Sequence, residues 1–187
     1  MNKLTGKFAY ALVLSATLAA ANVAVASTVM VGGQSMLPSK DIVDNAVNSA
    51  DHTTLVAAVK AAGLVDTLKS KGPFTVFAPT NAAFNKLPSG TVEGLVKPEA
   101  KATLTKVLTY HVVPGKYDFV ALSSEIKKQK GKAELATASG GKLMFVMNGD
   151  HNINMMDESG NTASISTYDV YQSNGVINVI DTVMMPK

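Results

Sequence analysis

The chain has 187 residues, with 17 lysines and no arginine, 14 acidic residues, three histidines and no cysteine, for a formal net charge of +3. The missing cysteines exclude disulfides, thiolate metal sites, thiol catalysis and a lipid-modified cysteine. Without the bidentate guanidinium, and with no basic cluster beyond the loose run Lys127, Lys128, Lys130 and Lys132, nucleic acid is a poor candidate partner.

Residues 1–26 read as a secretory signal peptide. Lys3 and Lys7 supply the positive start, Phe8 to Ala21 the apolar run, and Ala24-Val25-Ala26 the small-x-small cleavage pattern. That run is shorter than a membrane span of ~20 residues. Cleavage after Ala26 leaves 161 of the 187 residues, close to the size at which one apolar core closes. The expected product is secreted or periplasmic, monomeric and without a membrane span. Residues 27–40 are small, polar and Gly-containing and read as a flexible leader, and residues 41–187 as one domain.

Helices come first. Ile42, Val43, Ala46 and Val47 fall at helical spacing, Leu55, Val56, Val59 and Ala62 continue the pattern until Gly63, and Leu64 to Leu68 form a third short piece. Phe74 to Ala78 is a compact apolar strand, followed by a helix that Thr80 caps and Pro88 ends. Lys97-Pro98-Glu99 opens a longer helix whose Leu104, Val107, Leu108 and His111 share one face. Val112-Val113 reads as a strand and Phe119, Leu122 and Ile126 as a further helix. The last third changes period: five short strands between Ala133 and Met184, punctuated by Gly140-Gly141, Asn148-Gly149, Ser159-Gly160-Asn161 and Asn174-Gly175, predict an antiparallel meander. The sum is an α+β domain built on a β-sandwich or a strongly bent sheet.

Three of these stretches together resemble the fasciclin domain family. They are Gly72 to Phe84 (GPFTVFAPTNAAF), Tyr110 to Gly115 (YHVVPG) and Asn174 to Asp181 (NGVINVID). In this chain Asn81 stands where the first block usually has an acidic residue, and Asn178 where the last usually has histidine. The resemblance implies a wedge-shaped β-sandwich flanked by several short helices, in secreted or surface proteins that support adhesion. It implies no enzyme and no cofactor.

The residues themselves leave two readings of the central motif open. Tyr110 and His111 are the first candidates for partner contact, a histidine beside a phenol being proton-sensitive near neutral pH. The helical spacing favours a second role: His111 on the face of Leu104 and Leu108 suits a buried side chain that locks helix to strand. Thr75, Phe77, Pro79, Thr80, Asn81, Phe84, Asn174, Gly175 and Asp181 are motif residues read as structural; Asp181, near the end of the last apolar strand, is also a candidate buried acid, although a carboxylate that caps a turn is the commoner explanation. No nucleophile elbow, zinc helix or phosphate loop is present. The methionine pairs Met155-Met156 and Met184-Met185, with His151 nearby, raise a copper site, but strand alternation lets each pair offer one ligand only. The favoured function is therefore an exported module binding an envelope or extracellular protein or glycan. The alternative is a soluble carrier or sensor of a small apolar ligand or a copper ion.

Overall fold

The computed structural model describes residues 28–187, so the expected signal peptide with its cleavage point at Ala26 lies outside the described residues. The leader is a correction. Within it β1 (Val29–Val31) and β2 (Gln34–Met36) pair as an antiparallel hairpin. Gly32 and Gly33, read as linker residues, are its turn, with φ of 58° and 75°. Val31 and Met36 are buried against the helices, and the Asn45 amide clamps the exit by accepting from Leu37 N–H (3.0 Å) and donating to its carbonyl (2.8 Å).

The helices are α1 (Ile42–Ala46), α2 (Thr53–Ala62), α3 (Val65–Lys69), α4 (Asn81–Asn85), α5 (Thr91–Leu95), α6 (Lys101–Tyr110) and α7 (Phe119–Lys128), and all but α5 fall where the periodicity predicts. Gly63 ends α2 in the left-handed conformation at φ 73°, which costs glycine nothing. The sequence pattern missed α5, which buries none of its residues and so has no apolar stripe to announce it.

The strands β3 (Phe74–Pro79), β4 (Val112–Pro114), β5 (Lys132–Ala136), β6 (Lys142–Asn148), β7 (Asn152–Met156), β8 (Thr162–Gln172) and β9 (Gly175–Ile180) form one sheet in the order β4-β3-β9-β8-β7-β6-β5. Strands β5 to β9 are the expected antiparallel meander. Strand β9 then pairs in parallel with β3, Phe74 opposite Gly175 through Pro79 opposite Ile180. The sheet bends until its two ends approach, where Ala138 N–H donates to the Val112 carbonyl (2.7 Å). The architecture is α+β, with one continuous, strongly bent sheet. Its two faces bury separate cores: inside the bend, under α7, Phe77, Tyr110, Leu143, Phe145, Ile153 and Met155; on the outer face, under α1 to α6, mainly Val, Ala, Leu and Ile with Phe84.

Candidate functional site

Tyr110 and His111 stand where α6 passes into β4. Both side chains are buried, at 0% and 3% exposure. His111 Nδ1 lies 2.8 Å from the Val107 carbonyl and Nε2 lies 3.0 Å from Met184 N–H. A carbonyl can only accept and an amide N–H can only donate, so the proton is on Nδ1 and the ring is neutral. Complete burial pushes its pKa down to about 4 against the opposing pull of the Val107 carbonyl and Asp157. With both nitrogens engaged, the ring has no free lone pair to act as a base.

The Tyr110 hydroxyl donates to the Lys142 carbonyl (2.6 Å) and accepts from Glu158 N–H (3.2 Å). Burial is the main force that pushes its pKa up to about 12. Its ring lies over Gly141, where a Cβ would come within 2.7 Å of the ring edge. The neighbouring Asp157 was missed as a structural residue. It is fully buried and accepts from Ser159 N–H and Asn161 N–H (2.9 Å each), Asn161 Nδ2 (2.8 Å) and Met185 N–H (3.1 Å). Consecutive amides at Met184 and Met185 are thus tied to His111 and Asp157. The turn run Asp157-Glu158-Ser159-Gly160-Asn161 was the available signal. A partner would have to open the fold to touch Tyr110 or His111.

The remaining motif residues are fasteners. Thr75 Oγ1 donates to the Gly115 carbonyl and accepts from Tyr117 N–H (2.8 Å each). Phe77 packs on Phe145, with ring centroids 5.1 Å apart, Pro79 ends β3 opposite Ile180, and Phe84 is buried under the helices. Thr80 caps α4 by accepting from Ala83 N–H (3.2 Å). Asn81 accepts from Thr54 N–H (3.0 Å) and donates to the Ala50 carbonyl (2.9 Å), joining α4 to the start of α2. Asn174 accepts from Ile42 N–H (3.1 Å) and donates to the Leu68 and Ser70 carbonyls. A Cβ on Gly175 would sit 2.1 Å from the Phe74 carbonyl oxygen, so the β3–β9 pairing needs glycine there. Asp181, weighed as a buried acid, is half exposed; it accepts from Ser164 N–H (2.9 Å) and faces the Lys86 ammonium at 3.6 Å. Asn178 is fully buried, accepts from Asp169 N–H and donates to the Tyr117 carbonyl (3.1 Å each). It thereby secures the β8 irregularity, where Asp169 takes φ 60°. His151 is exposed, while Met155 and Met184 are fully buried; the histidine stands outside the core that holds both thioethers.

Two concavities stand out among the described residues. One is an open polar cleft of about 540 Å³ where the ends of the three motifs meet: Gly72 and Pro73, Lys116 just after Gly115, and Asn174 and Gly175. Lys69 in its wall is paired with Asp41 (3.2 Å) and Asp44. Lys71 and Lys116 are exposed and, among the described residues, form no ion pair. The Lys116 ammonium lies 4.5 Å from the centroid of the Tyr171 ring. The other is a cavity of about 150 Å³ between the outer face of the sheet and the helices, with an entirely apolar inner surface.

His52 borders that cavity and escaped the sequence reading. It is 3% exposed, and its Nδ1 is 2.8 Å from Ser49 Oγ. The Ala78 carbonyl is near enough to favour its charged form, yet Nε2 makes no hydrogen bond of ordinary geometry, and the missing alignment makes that contact a weak one. Burial wins and holds the ring below the usual histidine range.

The signature residues of this α+β domain are engaged in bonds within the fold. The fasciclin domain model matches residues 50–186, and the chain belongs to that family. It is 48% identical over 146 residues to protein sll1483 of Synechocystis sp., covering 78% of this chain and 73% of that one. It is 36% identical to immunogenic protein MPB70 and 34% identical to cell surface glycolipoprotein MPB83, both of Mycobacterium bovis, covering 75% of this chain in each case. It spans 66% and 58% of those two relatives' lengths. The FAS1 domain pair of the insect cell adhesion molecule Fasciclin I has the same fold, with a TM-score of 0.67 at 18% identity over 77% of this chain and 50% of that one.

Proposed function

We propose that the protein is an exported binding module of the cell surface or its surroundings, and that its contact surface is the cleft where the three motif ends meet. The observation that supports this is the placing of Lys71 and Lys116, two exposed cations that form no ion pair among the described residues, in a cleft whose turns are fastened by Thr75 and Asn174. A pre-formed rim loses little entropy on binding. The partner's contacting groups are anionic, from acidic side chains of a protein or acidic sugars of a glycan. The names of the relatives, a cell surface glycolipoprotein and a cell adhesion molecule, agree with that setting. Tyr110 and His111 serve this function indirectly, by holding the scaffold.

The test is capture from envelope extract of the producing cell, comparing the native protein with the double variant Lys71→Glu/Lys116→Glu. The expected result is a partner retained by the native protein, released by added salt and lost with the double variant while the unfolding midpoint stays put. Equal capture by both proteins would contradict the placement of the surface.

The second reading, a carrier, has one observation in its favour, the apolar cavity.

A further inference from the structure

The outer face of the sheet leaves room that the inner face does not. Inside the bend, Phe77, Phe145, Tyr110, Leu143, Ile153 and Met155 are all at 0% exposure and fill the space between strands and α7. On the other side of the same strands the side chains are mostly Val and Ala, and they do not meet across the gap between the sheet and α1, α2 and α3. The void is bounded from several directions: Val59 on α2, Leu68 on α3, Val76 and Ile177 on the sheet, and Val31 and Met36 on the N-terminal hairpin. No single longer side chain would therefore be expected to fill it, and the hairpin and α1 that complete its wall precede the segment matched by the family model.

Its size and lining decide what it can hold. A water molecule needs two to four polar partners, and a dry apolar cavity of about this volume takes up benzene or xenon. The inner surface here is apolar throughout. The ionisable residues bordering it are Lys60, which is exposed, and His52 and His111, which burial holds neutral. Lys60 and Thr67 are both exposed and mark where the wall reaches the surface, between α2 and α3.

We infer that this cavity is a binding site for a small, uncharged, apolar group of about the size of benzene, either a free hydrocarbon or the apolar end of a larger molecule. Dispersion contacts missing from the empty walls are supplied by the guest. A charged guest is refused because nothing inside solvates it.

The probe is toluene, titrated into the secreted protein while methyl NMR signals are followed. Saturable shifts are expected at Val59, Val76 and Ile177, with Leu143 and Ile153 in the inner core unmoved. Benzoate at the same concentration should leave all five unmoved. Val59→Phe, which puts a phenyl ring into part of the space a guest would occupy, should weaken toluene by at least about tenfold. If that variant does not fold, xenon on the native protein gives the same decision through the same methyls. An absence of saturable shifts with toluene and xenon, benzoate shifts as large as toluene's, or unchanged toluene affinity in folded Val59→Phe would each overturn the assignment.

Discussion

The two faces of the bent sheet have the same strands and opposite packing. The inner face carries aromatic and long aliphatic side chains at 0% exposure, and its buried polar groups Tyr110 and Asp157 have their ordinary partners, as does His111 between the two cores. The outer face carries mostly small aliphatic side chains, a cavity of about 150 Å³, and His52 with an unpartnered Nε2. Strand alternation makes this possible, since successive side chains of β3 and β9 enter different cores. One face can thus be packed for rigidity while the other keeps room, in a chain of ordinary domain size. Thr75 and Asn174 fasten the turns that form the rim of the polar cleft.

Truncating leucine on each face breaks the comparison most sharply. Leu143→Ala, in the filled core, should cost about 4–5 kcal/mol, because the new void cannot collapse. Leu68→Ala, in the cavity wall, should cost about 2–3 kcal/mol, since that side chain already lacks neighbours on one side. Paired urea denaturation measures both, and equal costs would show that the two faces are packed alike.

Acid should act through the two buried histidines. His111 has a folded pKa of about 4 against an unfolded value near 6.5, so the unfolded chain binds more protons between those pH values. Stability is fully present above pH 6.5 and falls as pH drops toward 4, by about 3 kcal/mol. His52, also shifted downward, adds in the same direction. His111→Ala should therefore lose stability at pH 7 and flatten the dependence without abolishing it. Unfolding free energies across pH 4–7 check this, and an unchanged slope in the variant would remove His111 from the account.

A smaller effect is expected at Tyr110. Tyr110→Phe keeps the ring over Gly141 but leaves the Lys142 carbonyl and Glu158 N–H without the hydroxyl, at a cost of about 1–2 kcal/mol. Thermal melts of the variant measure it. Smallest of all, Lys71→Glu/Lys116→Glu should leave the melting temperature nearly unchanged, because both cations are exposed and form no ion pair among the described residues.

Much of this was legible in the residues. Apolar positions three, four and seven apart gave the buried face of α6 with His111, and the Thr80 hydroxyl ahead of Ala83 gave a capped helix. What escaped depends on contacts distant in sequence. No local turn signals the parallel pairing of β9 with β3, whose partners lie about a hundred residues apart. The hairpin at Val29 to Met36 looks like linker until Asn45 and the helix-side core are brought beneath it. Tyr110 and His111 could be read as contact or lock because burial of a polar pair is decided by the Lys142 carbonyl and the Met184 amide, neither of them a sequence neighbour. The cavity has no motif at all, being a space between elements, and His52 gains its meaning only from lying beside it.

The contrast between the faces is tested most directly by a crystal structure determined under xenon pressure. The account predicts xenon between α2, α3 and the outer face of the sheet, against Val59, Leu68 and Ile177, and none among Phe77, Phe145 and Leu143. Xenon in the inner core, or an outer cavity that stays empty under pressures that fill comparable apolar voids, would contradict it.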